Sequence, residues 1–192
     1  MFFPSFNSGY ADITAGSTEF SFNRAVYGIQ LTGRRDSLKY TDSVYLKSTY
    51  NFENGKFYSV HLIDSVPNLK VLVFEDKFTN YQDTLTRVRF INLLTKNGTK
   101  NDTLELVRRR GNTILAKSVT FGGVSDFSAF PITPAGISDS LYYRRVNTTT
   151  AYPGLGGFIF PGSLTKGRNH TVVAYGTSSR ATGLRSMIYV NQ

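Results

Sequence analysis

Period-two alternation runs through most of this chain. Tyr58, Val60 and Leu62 fall on one face of an extended segment, while Phe57, Ser59, His61 and Ile63 fall on the other. Val71–Phe74 is an apolar run of strand length. From Val88 to Leu94, the positions Val88, Phe90 and Asn92 alternate with Arg89 and Ile91. Further strands are expected at Thr103–Arg108, Thr113–Phe121, Ser140–Val146, Thr171–Tyr175 and Ser186–Val190. Turn signals separate them, among them Asn54-Gly55, Asn97-Gly98, Arg110-Gly111, Gly122-Gly123, Pro153-Gly154, Pro161-Gly162 and Lys166-Gly167. The 17 glycines and six prolines interrupt the chain too often for long helices. Short strands at this spacing predict an all-β protein of the sandwich or barrel type.

The pattern also repeats. Tyr10-Ala11-Asp12-Ile13-Thr14-Ala15-Gly16 is echoed by Phe130-Pro131-Ile132-Thr133-Pro134-Ala135-Gly136. Gly55-Lys56-Phe57-Tyr58-Ser59-Val60 is echoed by Gly167-Arg168-Asn169-His170-Thr171-Val172, with a glycine supplying the turn before each strand. Each unit closes on an apolar strand, Val71–Phe74 in the first and Met187–Val190 in the second. This divides the chain into two tandem β modules, 1–82 and 83–192. The second opens with Arg87–Leu93 and continues through Thr103–Phe121, and the first has no counterpart to that stretch. The first module is therefore expected to lack its opening strands, unless Met1–Asn7 takes over part of the role. A module short of strands leaves an open edge, where contact with the second module or self-association with another chain is expected.

Composition narrows the class. Fifteen Phe and 12 Tyr without any Trp favour pleated, half-buried surfaces. The absence of cysteine excludes disulfides, thiolate metal sites and cysteine nucleophiles. The net charge of +9 favours acidic partners, but the basic clusters are short: Arg34-Arg35, Arg108–Arg110 and Arg144-Arg145. They are expected on solvated strand faces or edges, where charge discourages edge-to-edge pairing. No run approaches the ~20 apolar residues that span a bilayer, so no transmembrane segment is expected. Met1-Phe2-Phe3-Pro4 lacks the basic start and long apolar run of a signal peptide.

The second unit resembles the family catalogued as domain of unknown function 4397. The residues that carry the resemblance are Val88-Arg89-Phe90-Ile91-Asn92, Phe130–Gly136 and Gly167-Arg168-Asn169-His170-Thr171-Val172-Val173. The first unit resembles the later two-thirds of the same pattern. The resemblance implies two tandem immunoglobulin-like β-sandwich modules of the kind found in exported or surface lipoproteins of Bacteroidota. It thus implies a periplasmic or outer-surface location, with no anchor visible in this chain. It transfers no catalytic residue.

Candidate chemistry is sparse. Six of the nine aspartates stand in Asp-Ser/Thr-aliphatic triplets, whose hydroxyls Ser37, Ser43, Ser65, Thr84, Thr103 and Ser140 match an O-glycosylation pattern of exported Bacteroidota proteins. Turn chemistry alone would also favour this order, since Asp and Ser/Thr sit in turns and the aliphatic residue opens a strand. Asn-x-Ser/Thr sequons at Asn97, Asn101, Asn147 and Asn169 are expected by chance in such a composition. His61 and His170 lack the neighbours a metal site or general base requires and read as structural. Glu53, Asp64, Glu75, Asp76 and Glu105 read as solvated turn and edge residues. The glycine-rich stretch Pro153–Gly157 is flanked by Tyr152, Phe158 and Phe160. These rings are either core or a ligand-contact loop. No phosphate loop and no Gly-x-Ser-x-Gly elbow occur.

The expectation is a non-catalytic envelope module for adhesion, scaffolding or protein contact, needing no cofactor and no metal. Its partner would be an envelope protein or a polysaccharide. A carbohydrate-binding module is the alternative, and an uncharacterised hydrolase stands third. A nucleic-acid partner is not expected, because charge and rings occur without a recognition motif.

Overall fold

The computed structural model describes residues 14–26, 39–64, 68–77, 83–95, 102–132, 139–152, 164–177 and 184–190. Those residues are all-β apart from one short 3-10 turn at Arg110–Asn112, and none of their sheets closes into a barrel. The chain divides into two compact units, one over Gly9–Lys77 and one holding Phe78–Gln192.

The first unit is built from two hairpins. Strands β1 (Gly16–Val26) and β2 (Lys39–Phe52) pair antiparallel, with Gly16 opposite Phe52 and Phe20 opposite Ser48. Alternation sets the two faces. Ser17, Glu19, Ser21, Lys47, Thr49 and Asn51 are exposed, whereas Thr18, Phe20, Leu46, Ser48 and Tyr50 are half-buried and Phe52 is buried. Strands β3 (Tyr58–Ile63) and β4 (Lys70–Glu75) form the second antiparallel pair in an unbroken register. Aromatic edges join the hairpins: the Phe52 ring lies 5.9 Å from Phe20 and 4.8 Å from Tyr58. The Tyr50 hydroxyl donates to the Val71 carbonyl at 2.7 Å.

The second unit has two sheets. The first contains β5 (Thr86–Thr95), β8 (Ser128–Phe130), β10 (Asn169–Thr177) and β11 (Leu184–Val190) in the order β11-β10-β5-β8. The second contains β6 (Leu104–Arg108), β7 (Thr113–Val119) and β9 (Leu141–Arg145) in the order β7-β6-β9. One core takes side chains from both: Val88, Phe90 and Leu94 of β5, Val172 and Ala174 of β10, and Leu104, Leu106, Leu115, Ala116, Val119, Leu141 and Tyr143 of the other sheet. Phe90 and Tyr143 stack across the gap with ring centroids 5.1 Å apart. This is sheet-on-sheet packing around a shared apolar layer.

β5 and β10 run parallel, Arg87 opposite Asn169 and Ile91 opposite Val173. Parallel strands are ordinarily covered on both faces. Accordingly Arg87, Arg89 and Ile91 are as buried as Val88 and Phe90 on the opposite side. The Arg89 Nε donates to Thr171 Oγ1 at 2.8 Å, and its guanidinium lies 5.2 Å from the Phe127 ring.

Each strand expected from alternation is present within a residue or two. Of the expected glycine turns, Gly55 (φ 74°) precedes β3 and Gly167 (φ 66°) precedes β10, both in the left-handed region that suits glycine, while Asn97-Gly98, Pro153-Gly154 and Pro161-Gly162 lie outside the described residues. The long hairpin β1–β2 was not anticipated, because its outward positions are polar and its inward ones mix Thr18 and Ser48 with rings. β8 is only three residues long and carries no periodic signal. The proposed role of Met1–Asn7 lies outside the described residues.

Candidate functional site

The buried polar side chains concentrate where strands of the second unit begin. Three of the Asp-Ser/Thr-Leu triplets sit directly before β5, β6 and β9, and each of their carboxylates is taken by an arginine. Asp83 accepts the Leu85 N–H at 3.0 Å, the local Asx geometry that starts a turn, and receives the Arg87 guanidinium through two parallel contacts. The Arg87 contact holds the Asp83 carboxyl below the usual carboxylate range. Asp139 accepts Arg108 Nε at 2.7 Å, the Ser140 N–H at 2.8 Å and the Arg110 N–H at 3.3 Å. Asp102 accepts the Tyr152 hydroxyl and faces Arg145 Nε at 3.4 Å.

A fourth pair, Glu105 and Arg144, lies directly opposite across β6 and β9, with Nε to Oε2 at 2.7 Å. Its side chains are only 4% and 10% exposed, so each charge depends on the other for solvation. Two expectations are corrected here. Arg108 and Arg144 belong to basic clusters expected on solvated faces, yet both point inward into ion pairs. Glu105 and Asp76 are buried rather than solvated. Asp76 accepts the Ser59 hydroxyl at 2.7 Å. The physical reason is pairing: a charge can occupy an interior position when a partner of opposite sign shares its face. Arg109 and Arg110, next to Arg108, are exposed.

Two neutral groups complete the network. Asn92 Nδ2 donates to the Asp102 and Val119 carbonyls, both at 2.9 Å, and its Oδ1 accepts the Leu94 N–H at 3.1 Å. It therefore ties β5 to the start of β6 and the end of β7. His170 lies in the core. Its Nε2 accepts the Thr165 N–H at 3.1 Å, so the opposite nitrogen, Nδ1, carries the proton and faces Thr86 Oγ1 at 3.2 Å. Burial pushes its pKa down. It holds the turn before β10 against the first residue of β5. His61 packs edge-on to Phe74 in the first unit.

Of the anticipated ligand-contact rings, Tyr152 is 3% exposed and belongs to the core. The Arg145 guanidinium lies 5.0 Å from its ring. Phe158 and Phe160 lie outside the described residues. Among the triplet hydroxyls, Thr84 is exposed, Thr103 half-buried and Ser140 buried. Ser43 falls within β2, while Ser37 and Ser65 lie outside the described residues. So do Asn97, Asn101, Arg34 and Arg35.

The first unit presents a different surface. Among its described residues, Phe57, Val60 and Leu62 are the exposed large apolar ones, all on or beside β3. Chemically, the second unit offers carboxylates bound to arginine, and the first offers an apolar strand open to solvent. Among the described residues no group of three His, Cys, Asp or Glu could hold a metal ion, and no helix is long and apolar enough to cross a membrane.

The model of the family described as domain of unknown function (DUF4397) matches residues 2–99. That span covers the first unit and the whole of β5. No curated protein matches the chain.

Proposed function

The chain belongs to the DUF4397 domain family, and on that premise we propose that it is a non-catalytic module of the cell envelope whose task is adhesion, scaffolding or protein contact. The observation that carries this reading is the occupation of four of the second unit's carboxylates. Asp83, Asp102, Glu105 and Asp139 each hold an arginine, and three of the four are buried while doing so. A general acid or base must meet its substrate through an open position at hydrogen-bonding distance. Asp102, Glu105 and Asp139 instead fasten separate strands to one another, and Asp83 closes the turn that leads into β5.

The envelope assignment rests on the family resemblance, and export to the periplasm or outer surface is part of the proposal. So is the reading of the chain as two tandem immunoglobulin-like modules. The matching glycine turns before β3 and β10, each followed by an antiparallel hairpin, support that reading. O-glycosylation of the folded chain would reach Thr84 before Ser140, which lies under the surface. Mass spectrometry of material from its native cell, finding no added sugar at any of Ser37, Ser43, Ser65, Thr84, Thr103 and Ser140, would remove that idea.

The test of function is binding of the purified chain to neutral and anionic polysaccharides at low and high salt, with hydrolysis followed in parallel. We expect no turnover and no salt-resistant, saturable binding. Saturable binding to one neutral glycan would make the carbohydrate-binding alternative the better account. Released oligosaccharide would overturn the non-catalytic reading.

A further inference from the structure

The two hairpins that follow the matched glycines differ in what lies along their first strand. In the second unit, β10 is flanked on one side by β11 and on the other by β5, which pairs with it from Asn169 to Thr177. In the first unit β3 pairs with β4, and no described strand lies on its other side.

The ladder geometry fixes which groups face that side. The Asp76 N–H donates to the Phe57 carbonyl at 2.7 Å, so Phe57 directs its backbone groups toward β4. Alternation then turns Ser59, His61 and Ile63 toward β4, and Tyr58, Val60 and Leu62 away from it. The same parity directs Val71 away from β3, and the Val71 carbonyl is indeed the one that accepts the Tyr50 hydroxyl. The far edge of β4 is thus capped by a side chain. The far edge of β3 offers the N–H and C=O of Val60 and Leu62, whose side chains are 38% and 43% exposed.

Edge strands in monomeric proteins are blunted by charge, bulges or cover. The outer strand β7 illustrates this: it contains Lys117, its register with β6 shifts twice, and Ser118 has a positive φ of 54°. β3 reads Tyr-Ser-Val-His-Leu-Ile. It has no Lys, Arg, Asp or Glu and keeps a regular register.

We propose that the open edge of β3 pairs antiparallel with β3 of a second copy of this chain, making a continuous sheet in the order β4-β3-β3-β4 across a two-fold axis. The occupant follows from the strand itself. Two-fold pairing sets β3 against its own sequence, which places no like charges opposite one another. It sets the exposed apolar side chains of Val60 and Leu62 against the same pair from the partner copy, with the half-buried Tyr58 at the end of the strand. The proposal rests on the contact-module reading, but its failure is distinguishable from that reading's failure, because the polysaccharide and turnover assays do not depend on oligomeric state.

The experiment is sedimentation velocity of the intact chain from roughly 1 µM to 1 mM, a window that covers weak and moderate affinities, with amide exchange followed residue by residue. The expected mass rises from 21.4 kDa toward twice that value. The Val60 and Leu62 amides gain protection about tenfold or more over the same range, as the paired fraction grows. Two variants isolate the edge. Val60→Pro removes an outward N–H without touching the ladder to β4, and Leu62→Lys adds the charge this edge lacks. Both are expected to stay at 21.4 kDa with an unchanged far-ultraviolet circular dichroism spectrum. A wild-type chain that remains monomeric throughout would overturn the proposal. So would a dimer that survives in both folded variants, or a monomer whose β3 amides become protected only on adding an unrelated strand-forming peptide.

Discussion

The two units use one hairpin pattern in different surroundings. In the second, β5 lies beside β10, and the residues on both of its faces are buried. In the first, the described hairpins stand as two-stranded sheets, and their buried apolar side chains are Phe52, Ile63 and Val71. Two-stranded sheets are marginal alone, whereas a central strand with cover on both sides can carry charge inside if the charge is paired. The contrast therefore predicts where single substitutions will be costly.

The largest effect is expected at Glu105. Glu105→Ala leaves Arg144 buried without a counter-charge and should cost about 3–5 kcal/mol in equilibrium unfolding. The double variant Glu105→Leu/Arg144→Met should recover most of that loss, since an apolar pair of similar size needs no solvation. A small effect in the single variant would mean that the second unit is not as closed as its burial implies.

Asn92 comes next. Asn92→Leu keeps the volume but strips partners from the Asp102 and Val119 carbonyls and the Leu94 N–H, a loss of about 2–3 kcal/mol. Chemical denaturation should lower the midpoint without changing the slope, since the surface exposed on unfolding is the same.

Much of this architecture was legible in the sequence, and the reason is local. Alternation and glycine turns are properties of neighbouring residues, so β3 to β7 and β9 to β11 could be read directly. The triplets were legible as strand starts for the same reason. Their partners were not. Arg108 and Asp139 are 31 residues apart, and Arg144 and Glu105 are 39 apart, so only the β6–β9 register brings them together. Asn92 was noticed within a family pattern, but its hydrogen bonds run to carbonyls that alternation cannot locate. The β1–β2 hairpin was missed because a strand with one polar face and few apolar residues on the other gives a weak periodic signal. An open edge somewhere in the first unit was expected from the missing counterpart of β5, without a strand being named. The particular groups on it required the ladder parity.

His170 extends the comparison to pH, because the residue aligned with it in the first unit is Tyr58, a phenol in place of an imidazole. Burial lowers the folded-state pKa of His170 below the ordinary 6.5. The unfolded chain then binds the proton more readily. Stability should be full above 6.5 and decline as the pH falls through it, until the folded-state pKa is reached. One proton gives a slope of at most about 1.4 kcal/mol per pH unit. Protonation would also set an N–H at Nε2 against the Thr165 N–H. Unfolding titrations of the wild type and His170→Gln should diverge only on the acid side. Parallel curves would mean that His170 is not the titrating group.

The smallest effect is expected where the first unit carries the same kind of ion pair in water. Glu19 and Lys47 approach to 3.3 Å on the outer face of β1–β2, with side chains 52% and 57% exposed. Both ions keep most of their hydration, so neither needs the other. Glu19→Ala should change stability by about 0–0.5 kcal/mol, and that small change should shrink further in 1 M salt. Set beside Glu105→Ala, this variant compares a carboxylate paired in water with one paired under cover, the cation being lysine in the first and arginine in the second. If Glu19→Ala costs as much as Glu105→Ala, the outer face of β1–β2 is covered in solution, and the nearest available cover of matching chemistry would be another copy of the chain.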